Sequence, residues 1–338
     1  MKSLARWTAW LLLLAPLSQA QQAKLVVSDT AVSPTLGAGP VVVPLRCDDD
    51  LNVFFRPFSA QERPLTSPVL KLDKHATLQA TFSLMSSPEL AGMVSGDFFP
   101  TPDGELHELA WVPGKRIMYV LNFGKDGAFK SKVALERGFQ PAQLAVFPKG
   151  EFLATGLEPT QWGQTERNKP FTALFNSSGK LIKMIRLEDD ERITKAAASG
   201  DTDYVSSPTD HGNRAVELGD VAMGADGNAY LMRRTNPTIV YAISPGGEVV
   251  RRLSIDPGNP RMMPQAIHAA KGRLVIMYSI ERAINFVVVD PTSGDVLVRY
   301  DSGPKIGGAF ACASDKEFVF LGNDGADAKL TVDIAEPR

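Results

Sequence analysis

The side chains best suited to catalysis or metal binding are few in this sequence and widely separated. Its four histidines are His75, His107, His211 and His268. None has a second histidine or a cysteine at the spacing of a zinc site, so the sequence does not predict one. It also contains no Gly-x-Ser-x-Gly nucleophile elbow and no glycine-rich phosphate loop. The residue types therefore do not predict a particular catalytic reaction.

The two cysteines, Cys47 and Cys312, lie near opposite ends of the chain. In an oxidising compartment such a pair favours a disulfide. A bridge closing so long a loop would stabilise the fold by about 5 kcal/mol in the chain-entropy account. Two buried free thiols are the alternative, because a bridge also requires the Cα atoms to lie within about 7 Å of each other. The sequence leaves both readings open.

The stretch Glu217–Ser254 shows which elements would have to position these residues. It contains four short β-patterned runs, Val221–Met223, Ala229–Arg233, Ile239–Ser244 and Glu248–Leu253. The runs are separated by Asp226-Gly227, Asn236-Pro237 and Gly246-Gly247. Asp-Gly and Gly-Gly supply the positive φ values of tight turns, and Asn-Pro cannot continue a ladder of hydrogen bonds. Four antiparallel strands in about forty residues are typical of one blade of a β-propeller.

The same pattern recurs at a period of about 45 residues, as a four-stranded blade requires. Its first turn falls at Asp49, Asp103, Lys149, Asp226, Lys271 and Asp315. We therefore predict an all-β, six-bladed β-propeller of four-stranded antiparallel blades. Seven blades are the alternative, because the interval from Lys149 to Asp226 is longer than the others. The predicted blades span residues 41–84, 97–136, 141–187, 217–254, 264–300 and 307–336, within a single domain at 21–338.

The last predicted blade runs out of residues before a fourth strand, which would leave an unpaired edge. Lys24–Ser28 is the strand pattern ahead of the first blade, so we predict that it supplies this outer strand and closes the ring. Residues 29–40 are expected to form a linker rich in proline and glycine. This phasing places Cys47 and Cys312 on the innermost strands of blades that adjoin only when the ring closes.

Two insertions interrupt the regular period. They are Gly156–Pro170, between the second and third strands of blade three, and Glu188–Arg214, between blades three and four. Loops of these two kinds emerge on the same face of a propeller, and loops this long are usually functional or disordered. Aromatic and cationic residues in and beside them predict a binding surface, with a solvated loop pair as the alternative. The candidate binding residues are Trp162, Arg167, Lys169, Tyr204, His211, Arg214, Arg233 and Arg234.

The segments GDVAMGADGNAYLMRR and, less closely, FFPTPDGELHELAWV resemble NHL-type repeats and the wider group of six-bladed, TolB-like propellers. The shared pattern is a short apolar strand, an Asp-Gly turn, a small or polar residue and an alternating apolar strand. It consists of turn and core positions, so the resemblance implies the fold rather than an activity. Propellers of this group include binding modules, lactone-type hydrolases, a lyase and strictosidine-synthase-like proteins.

Metal-dependent members of this group hold a divalent ion at the mouth of the central channel. The resemblance therefore implies Asp97, Asp220 and His268 as candidate metal ligands, with Gln143 and Gln265 beside them. Such an oxygen-rich set suits calcium. The alternative is that the carboxylates bond only to backbone groups around the channel. The residues themselves predict no cofactor, and a divalent cation such as calcium enters only through the resemblance.

The first twenty residues have the pattern of an export signal. Lys2 and Arg6 precede a short apolar run, and Ser18-Gln19-Ala20 offers the small residues needed for cleavage after Ala20. The run is shorter than the roughly 20 residues that span a bilayer. An uncleaved anchor is the alternative. We expect a periplasmic or secreted protein with no stable membrane insertion after cleavage.

The charge of the processed chain limits its partners. Loss of Lys2 and Arg6 leaves 34 cationic residues against 38 Asp and Glu, a formal charge of −4, which argues against nucleic acid. The leading hypothesis is a non-catalytic binding or scaffold module for a protein or small-molecule ligand, with its surface over blades three and four. The alternative is a metal-dependent hydrolase or lyase acting at the channel mouth. A purely structural role in a cell-envelope assembly is the third reading.

Overall fold

The fold is all-β over the part of the chain that the structure describes. The structure is a computed structural model and describes residues 21–58, 65–158, 169–188, 190, 219–281, 283–302, 306, 308–325 and 328–338. These residues form 24 strands and the single 3₁₀ turn Pro88–Leu90. Within these ranges no helix is long and apolar enough to span a bilayer.

Sixteen of the strands form four antiparallel sheets of four strands each, in chain order. Sheet one contains β2 (Val41–Cys47), β3 (Val53–Pro57), β4 (Val69–Leu72) and β5 (Leu78–Phe82). Sheet two contains β6 (Val94–Pro100), β7 (Leu106–Trp111), β8 (Met118–Phe123) and β9 (Phe129–Ala134). Sheet three contains β10 (Gln140–Val146), β11 (Phe152–Leu157), β12 (Pro170–Phe175) and β13 (Leu181–Met184). Sheet four contains β14 (Val221–Met223), β15 (Ala229–Arg233), β16 (Thr238–Ile243) and β17 (Val249–Ile255).

The remaining strands form one sheet of eight, in the order β18-β19-β20-β21-β1-β24-β23-β22. Its strands are β1 (Gln21–Gly37), β18 (Met263–Ala270), β19 (Arg273–Ile280), β20 (Ala283–Val289), β21 (Val296–Asp301), β22 (Ala309–Ala313), β23 (Phe318–Asn323) and β24 (Lys329–Pro337). β1 joins two antiparallel halves, which we call the β18 half and the β22 half. Its first four residues pair in parallel with β21, and the rest of the strand pairs antiparallel with β24.

The amino-terminal strand is longer than the sequence analysis predicts. β1 continues through most of the predicted linker, up to Gly37. Two register shifts, after Val27 and after Val32, interrupt its pairing with β24. They allow Pro34, which has no N–H to donate, to lie in an outer strand that is paired on one side. The prediction of a linker over residues 29–37 is therefore wrong.

The first strands of the sheets surround a common axis. Each contacts the next in the order β2, β6, β10, β14, β18 and β22, and β22 returns to β2. This arrangement is a β-propeller of four-stranded antiparallel sheets. Loops between second and third strands, and links between sheets, emerge on one face, here called the linker face. Turns between first and second strands and between third and fourth strands lie on the opposite face, here called the turn face.

The core lies between neighbouring sheets. All residues of β12 and β16 are buried, because these third strands are covered by a sheet on either side. The outer strand β17 instead mixes exposed and buried residues, with Leu253 and Ile255 buried. Separate hydrophobic clusters fill the spaces between sheets, including one that joins sheet one to the β22 half. The fold therefore depends on packing between neighbouring sheets rather than on one central core.

At the outer rim, sheets two, three and four and the β18 half each contact the preceding sheet through the turn between their third and fourth strands. Gly127 approaches Thr81 of β5, Gly179 approaches Ala134 at the end of β9, and Gly294 approaches Leu253 of β17. A Cβ atom on Gly127 or Gly179 would collide with a backbone carbonyl oxygen of the neighbouring strand. These contacts depend on backbone shape and on the absence of a side chain.

The β22 half lacks this turn, because its third strand β24 and its outer strand β1 come from opposite ends of the described chain. Parallel pairing of β1 with β21 takes the place of the turn, with Gln21 opposite Val298 and Lys24 opposite Asp301. The backbones of Lys24 and Arg338 also exchange two hydrogen bonds of 3.1 and 2.8 Å. This pairing explains why two neighbouring halves become one sheet.

Candidate functional site

A backbone irregularity recurs near the linker-face end of the inner strands. The pairing of the first with the second strand shifts register just before Arg46, Asp97, Gln143, Ala266 and Cys312. Asp220 directly precedes β14 and occupies the same position in its repeat as Asp97, six residues before the Asp-Gly turn. Such bulges re-aim the side chain that follows them. The residues that directly follow these shifts include a cation, a carboxylate, an amide and a cysteine.

Arg46 lies at the centre of this arrangement and is only 7% exposed. Its Nε donates to the carbonyl oxygen of Phe98, and its Nη1 donates to that of Val221, both at 2.8 Å. Nη2 lies 3.3 Å from Asp97 Oδ2 and 3.1 Å from Asp220 Oδ1. Both carboxylates are buried, with residue exposures of 2% and 5%. One guanidinium therefore joins sheet one to sheets two and four.

The two carboxylates also bond forward to the next inner strand. Asp97 Oδ2 accepts the backbone N–H of Leu144 at 2.7 Å, and Asp220 Oδ2 accepts that of Ile267 at 3.2 Å. Between these two links, the Gln143 amide donates to the carbonyl oxygen of Gly219 at 2.6 Å. Each side chain thus satisfies backbone groups at a junction where two sheets meet.

His268 and the two cysteines link the remaining pairs of neighbouring inner strands. The ring of His268 hydrogen-bonds to the backbone of Ala313 on β22, and burial lowers the pKa of His268 to about 4, so the ring is neutral near pH 7. Cys47 and Cys312 form a disulfide between β2 and β22, with Cα atoms 6.0 Å apart. A hydrogen bond, ion pair or disulfide therefore crosses every junction between inner strands. We call Arg46, Cys47, Asp97, Gln143, Asp220, His268 and Cys312 the inner ring.

The electrostatics of the inner ring centre on Arg46. Burial opposes the charged form of Arg46, but Asp97 and Asp220 raise its pKa above the ordinary value. The guanidinium is therefore a permanent cation between two carboxylates, held in a region of low dielectric constant. Desolvation makes such a cluster costly unless every partner is present.

The residues implied as metal ligands do come together, but around an arginine. Asp97 and Asp220 share the same guanidinium nitrogen, and His268 lies within electrostatic reach of Asp220 and Arg46. Within the described ranges, no three His, Cys, Asp or Glu side chains are grouped as a metal site requires. Sequence reasoning missed Arg46. The signal was a lone cation in the otherwise apolar strand Val41–Cys47.

Two further buried arginines lie between sheets, nearer the linker face. Arg56 donates to the Ser95 carbonyl oxygen at 2.7 Å and to the Ser95 hydroxyl at 2.9 Å, and it pairs with Glu108 at 3.2 Å. Burial raises the pKa of Glu108, and Arg56 opposes that effect. Arg233 is fully buried and donates to Asp190 Oδ1 at 2.7 Å. These arginines fix neighbouring sheets and chain segments.

The candidate binding residues are only partly represented in the structure. Trp162, Arg167, Tyr204, His211 and Arg214 lie outside the described residues. Lys169 is exposed and lies 3.7 Å from Glu158. Arg234 is partly buried and approaches the carbonyl oxygen of Gln265 at 3.5 Å. The side chain of Arg233, by contrast, is fully buried and pairs with Asp190.

Comparison with known proteins yields similarity in fold. No protein-family profile matches the chain, and no curated protein matches it. A protein of unknown function from Dyadobacter fermentans DSM 18053 aligns at a TM-score of 0.53 with 11% identity, covering 93% of this chain and 99% of that one. One of unknown function from Bacteroides caccae aligns at 0.50 with 13% identity, covering 86% and 98%.

A PQQ-bound aldose sugar dehydrogenase from Streptomyces coelicolor aligns at a TM-score of 0.49 with 10% identity, covering 94% of this chain and 98% of that one. At identities this low, the alignments at TM-scores of 0.53 and 0.50 show similarity in fold alone. They assign neither a substrate nor a partner.

Proposed function

We propose that this protein is an exported, six-bladed propeller that acts as a non-catalytic binding scaffold. Its partner surface is on the linker face, over sheets three and four. The observation that carries the proposal is the position of Arg46 between Asp97 and Asp220. Both carboxylates expected to serve a metal-dependent reaction are engaged by a permanent internal cation. A ligand or protein partner would then bind at the faces and loops of the propeller.

The location of the surface is supported by the exposed charges that flank one insertion. Glu158 lies 3.7 Å from Lys169 and 4.0 Å from Arg137, and these three groups lie on the linker face. Their side chains are 29%, 53% and 45% exposed. Weak, solvated ion pairs of this kind rearrange at little cost when a partner contacts them.

Six blades follow from treating the β18 half and the β22 half as separate units. The β22 half with β1 then has four strands, like every other blade, and the inner strands close a ring of six. The sequence period of about 45 residues fits the same division. In this proposal β1 is the strand that completes the last blade.

Export is supported by two independent features. The first twenty residues have the composition of a cleavable signal. The disulfide between Cys47 and Cys312 requires an oxidising compartment to persist. Together they favour the periplasm or the extracellular space.

The metal-dependent alternative can be tested on the purified protein. We expect less than a tenth of an equivalent of calcium or zinc per chain, about the level of adventitious metal. We also expect no change in melting temperature on adding either ion or a chelator, because ligands that bind only the folded state stabilise it. One tightly held ion per chain, or a melting shift reversed by chelation, would contradict the proposal.

The position of the surface can be tested by site-specific photo-cross-linking in the producing cell. The probe is introduced at Arg137 or Lys169, with Lys149 and Lys180 in the turn-face turns of sheet three as matched controls, since both are exposed. The proposal predicts a discrete cross-linked product from the first pair only. A product from the control positions alone, or none from Arg137 and Lys169, would show that the surface lies elsewhere.

A further inference from the structure

Lys71 is a buried lysine near the turn face of sheet one, and none of the interactions described above uses it. Its Nζ lies 2.9 Å from Asp48 Oδ2, and the side chains of Lys71 and Asp48 are 11% and 1% exposed. The ring of Phe54 lies 5.2 Å from Nζ. Gly104, in the first turn of sheet two, covers the amine so closely that a Cβ atom at this position would collide with it. The amine is therefore enclosed between two sheets.

The carboxylate of Asp48 also holds a side-chain amide. Nδ2 of Asn52 donates to Asp48 Oδ2 at 2.9 Å and lies 3.0 Å from Oδ1. Asn52 directly precedes β3, and Lys71 lies opposite Phe54 in the pairing of β3 with β4. Asn52 and Lys71 are thus diagonal neighbours on paired strands, within reach of a long side chain. The amine and the amide lie beside the same oxygen atom.

These three groups have the arrangement that an amide exchange requires. We propose that the folded chain joins Lys71 to Asn52 by an isopeptide bond, with Asp48 as the general base and then the general acid. Lys71 transfers a proton to Asp48, and the free amine attacks Cγ of Asn52. The Nζ–Cγ bond forms and the Cγ–Nδ2 bond breaks. Nδ2 leaves as ammonium with the protons that Nζ gives up, and Asp48 is again a carboxylate.

The fold supplies the two conditions that favour this step. Groups held beside one another react as though highly concentrated, because their freedom of position has already been lost on folding. Burial of Asp48 and Lys71 limits the access of water, which would otherwise compete with the amine for Cγ. Asp48 lies within hydrogen-bond reach of both nitrogens, so one oxygen atom can take the proton from the nucleophile and give it to the leaving group.

Lys183 is a lysine of the same chain in which these conditions are not met. Its Nζ lies 2.6 Å from Glu248 Oε1, but the two side chains are 38% and 70% exposed. Water and side-chain mobility oppose a reaction in such a pair. Lys183 is therefore an internal control for Lys71.

The bond would add a second covalent link to sheet one. It would tie β4 to the start of β3, close to Cys47, whose disulfide joins sheet one to the β22 half. An amide resists reduction, so this link would persist where the disulfide is lost. It would form whether or not the propeller binds a partner.

The experiment is a peptide map of the purified wild-type protein. The chain is reduced, unfolded and digested with trypsin, which cuts after a free lysine but not after an acylated one. We expect the bond between Lys71 and Leu72 to remain intact, and the peptide that contains Asn52 and Lys71 to be lighter than its sequence requires by about 17 Da, the mass of ammonia. Lys183 should be cut normally in the same digest. Lys71→Arg and Asp48→Ala should both restore the unmodified mass.

Three results would overturn the proposal. Cleavage after Lys71 in the wild type, with no change in mass, would show that the bond does not form, and this result requires no variant. A loss of about 18 Da, the mass of water, would place the bond on Asp48 in place of Asn52. A bond that still forms in Asp48→Ala would contradict proton transfer through Asp48.

Discussion

The inner ring and the outer rim hold the same sheets together by different means. At the inner ring, neighbouring strands are joined by particular side chains, among them Arg46 with Asp97 and the disulfide from Cys47 to Cys312. At the outer rim, turns such as the one at Gly179 press backbone against backbone with no side chain between. The rim contacts therefore depend on backbone shape and on glycine, whereas the ring contacts depend on particular polar or thiol side chains.

This difference bears on whether the inner-ring side chains serve the stability of the fold or a reaction. A channel lined by carboxylates suggests a metal site when the acids alone are considered. Once Arg46 is included, the same acids are structural partners that bond forward to Leu144 and Ile267. Specific polar chemistry at the centre of the ring thus serves to join sheets. The predictions that follow test that distinction.

Loss of the disulfide should have the largest effect. The cysteines are separated by 265 residues, and opening so long a loop costs about 5 kcal/mol in the chain-entropy account. We expect Cys47→Ser with Cys312→Ser to lower the free energy of unfolding, measured by urea titration, by several kcal/mol. A loss below about 1 kcal/mol would show that the other links close the ring unaided.

Removal of the central cation should have the next largest effect. Arg46→Met keeps most of the side-chain volume but leaves two buried carboxylates without their counter-charge, and breaking a buried pair in this way costs about 3–5 kcal/mol. Arg116→Met, at an exposed site on the linker face, is the control and should change the unfolding free energy by less than about 0.5 kcal/mol. Similar losses in both variants would contradict the special role of the ring.

The inner ring should also make stability depend on pH through His268. Its pKa in the folded protein is about 4 against an ordinary 6.5, so the folded state disfavours the protonated ring. Stability is therefore complete above about pH 6.5 and is lost as the pH falls to 4, by about 3 kcal/mol in all.

The pH dependence of the unfolding free energy should flatten over that range in His268→Gln. It should persist in His75→Gln, since His75 lies exposed in a turn of sheet one. An unchanged slope in His268→Gln would assign the acid sensitivity to other groups.

The smallest expected effect concerns the outer rim. Gly114 and Gly179 both adopt positive φ, at +82° and +83°, but a Cβ on Gly114 meets nothing, whereas one on Gly179 collides with Ala134. Gly114→Ala should cost about 1 kcal/mol, the ordinary conformational penalty. Gly179→Ala should cost roughly 1 kcal/mol more, of the order found for overpacking. Equal melting temperatures would mean that the rim contact contributes nothing.

The repeat and its turns could be predicted from the sequence because they depend on local chemistry. Asp226-Gly227 and Gly246-Gly247 predict tight turns without any knowledge of their tertiary contacts, and the alternating runs between them predict strands. The extent of β1 could not be predicted, since residues 29–37 form strand only because β24 offers them a partner distant in the sequence.

The inner ring was predictable in composition but not in pairing. Asp97, Asp220 and His268 could be placed near the channel by their position in the repeat. Their partner Arg46 lies 51 residues from Asp97 and 174 from Asp220 in sequence, so a spatial contact alone reveals it.

The central claim is that Asp97 and Asp220 are structural partners of Arg46. A double-mutant cycle tests this claim most directly. The free energy of unfolding is measured for the wild type, Arg46→Met, Asp220→Asn and the combined variant, in the presence of a chelator. Because the two side chains are in direct contact, we predict a coupling energy of about 2 kcal/mol or more, with the combined variant less damaged than the sum of the single losses. A coupling energy near zero would contradict the account.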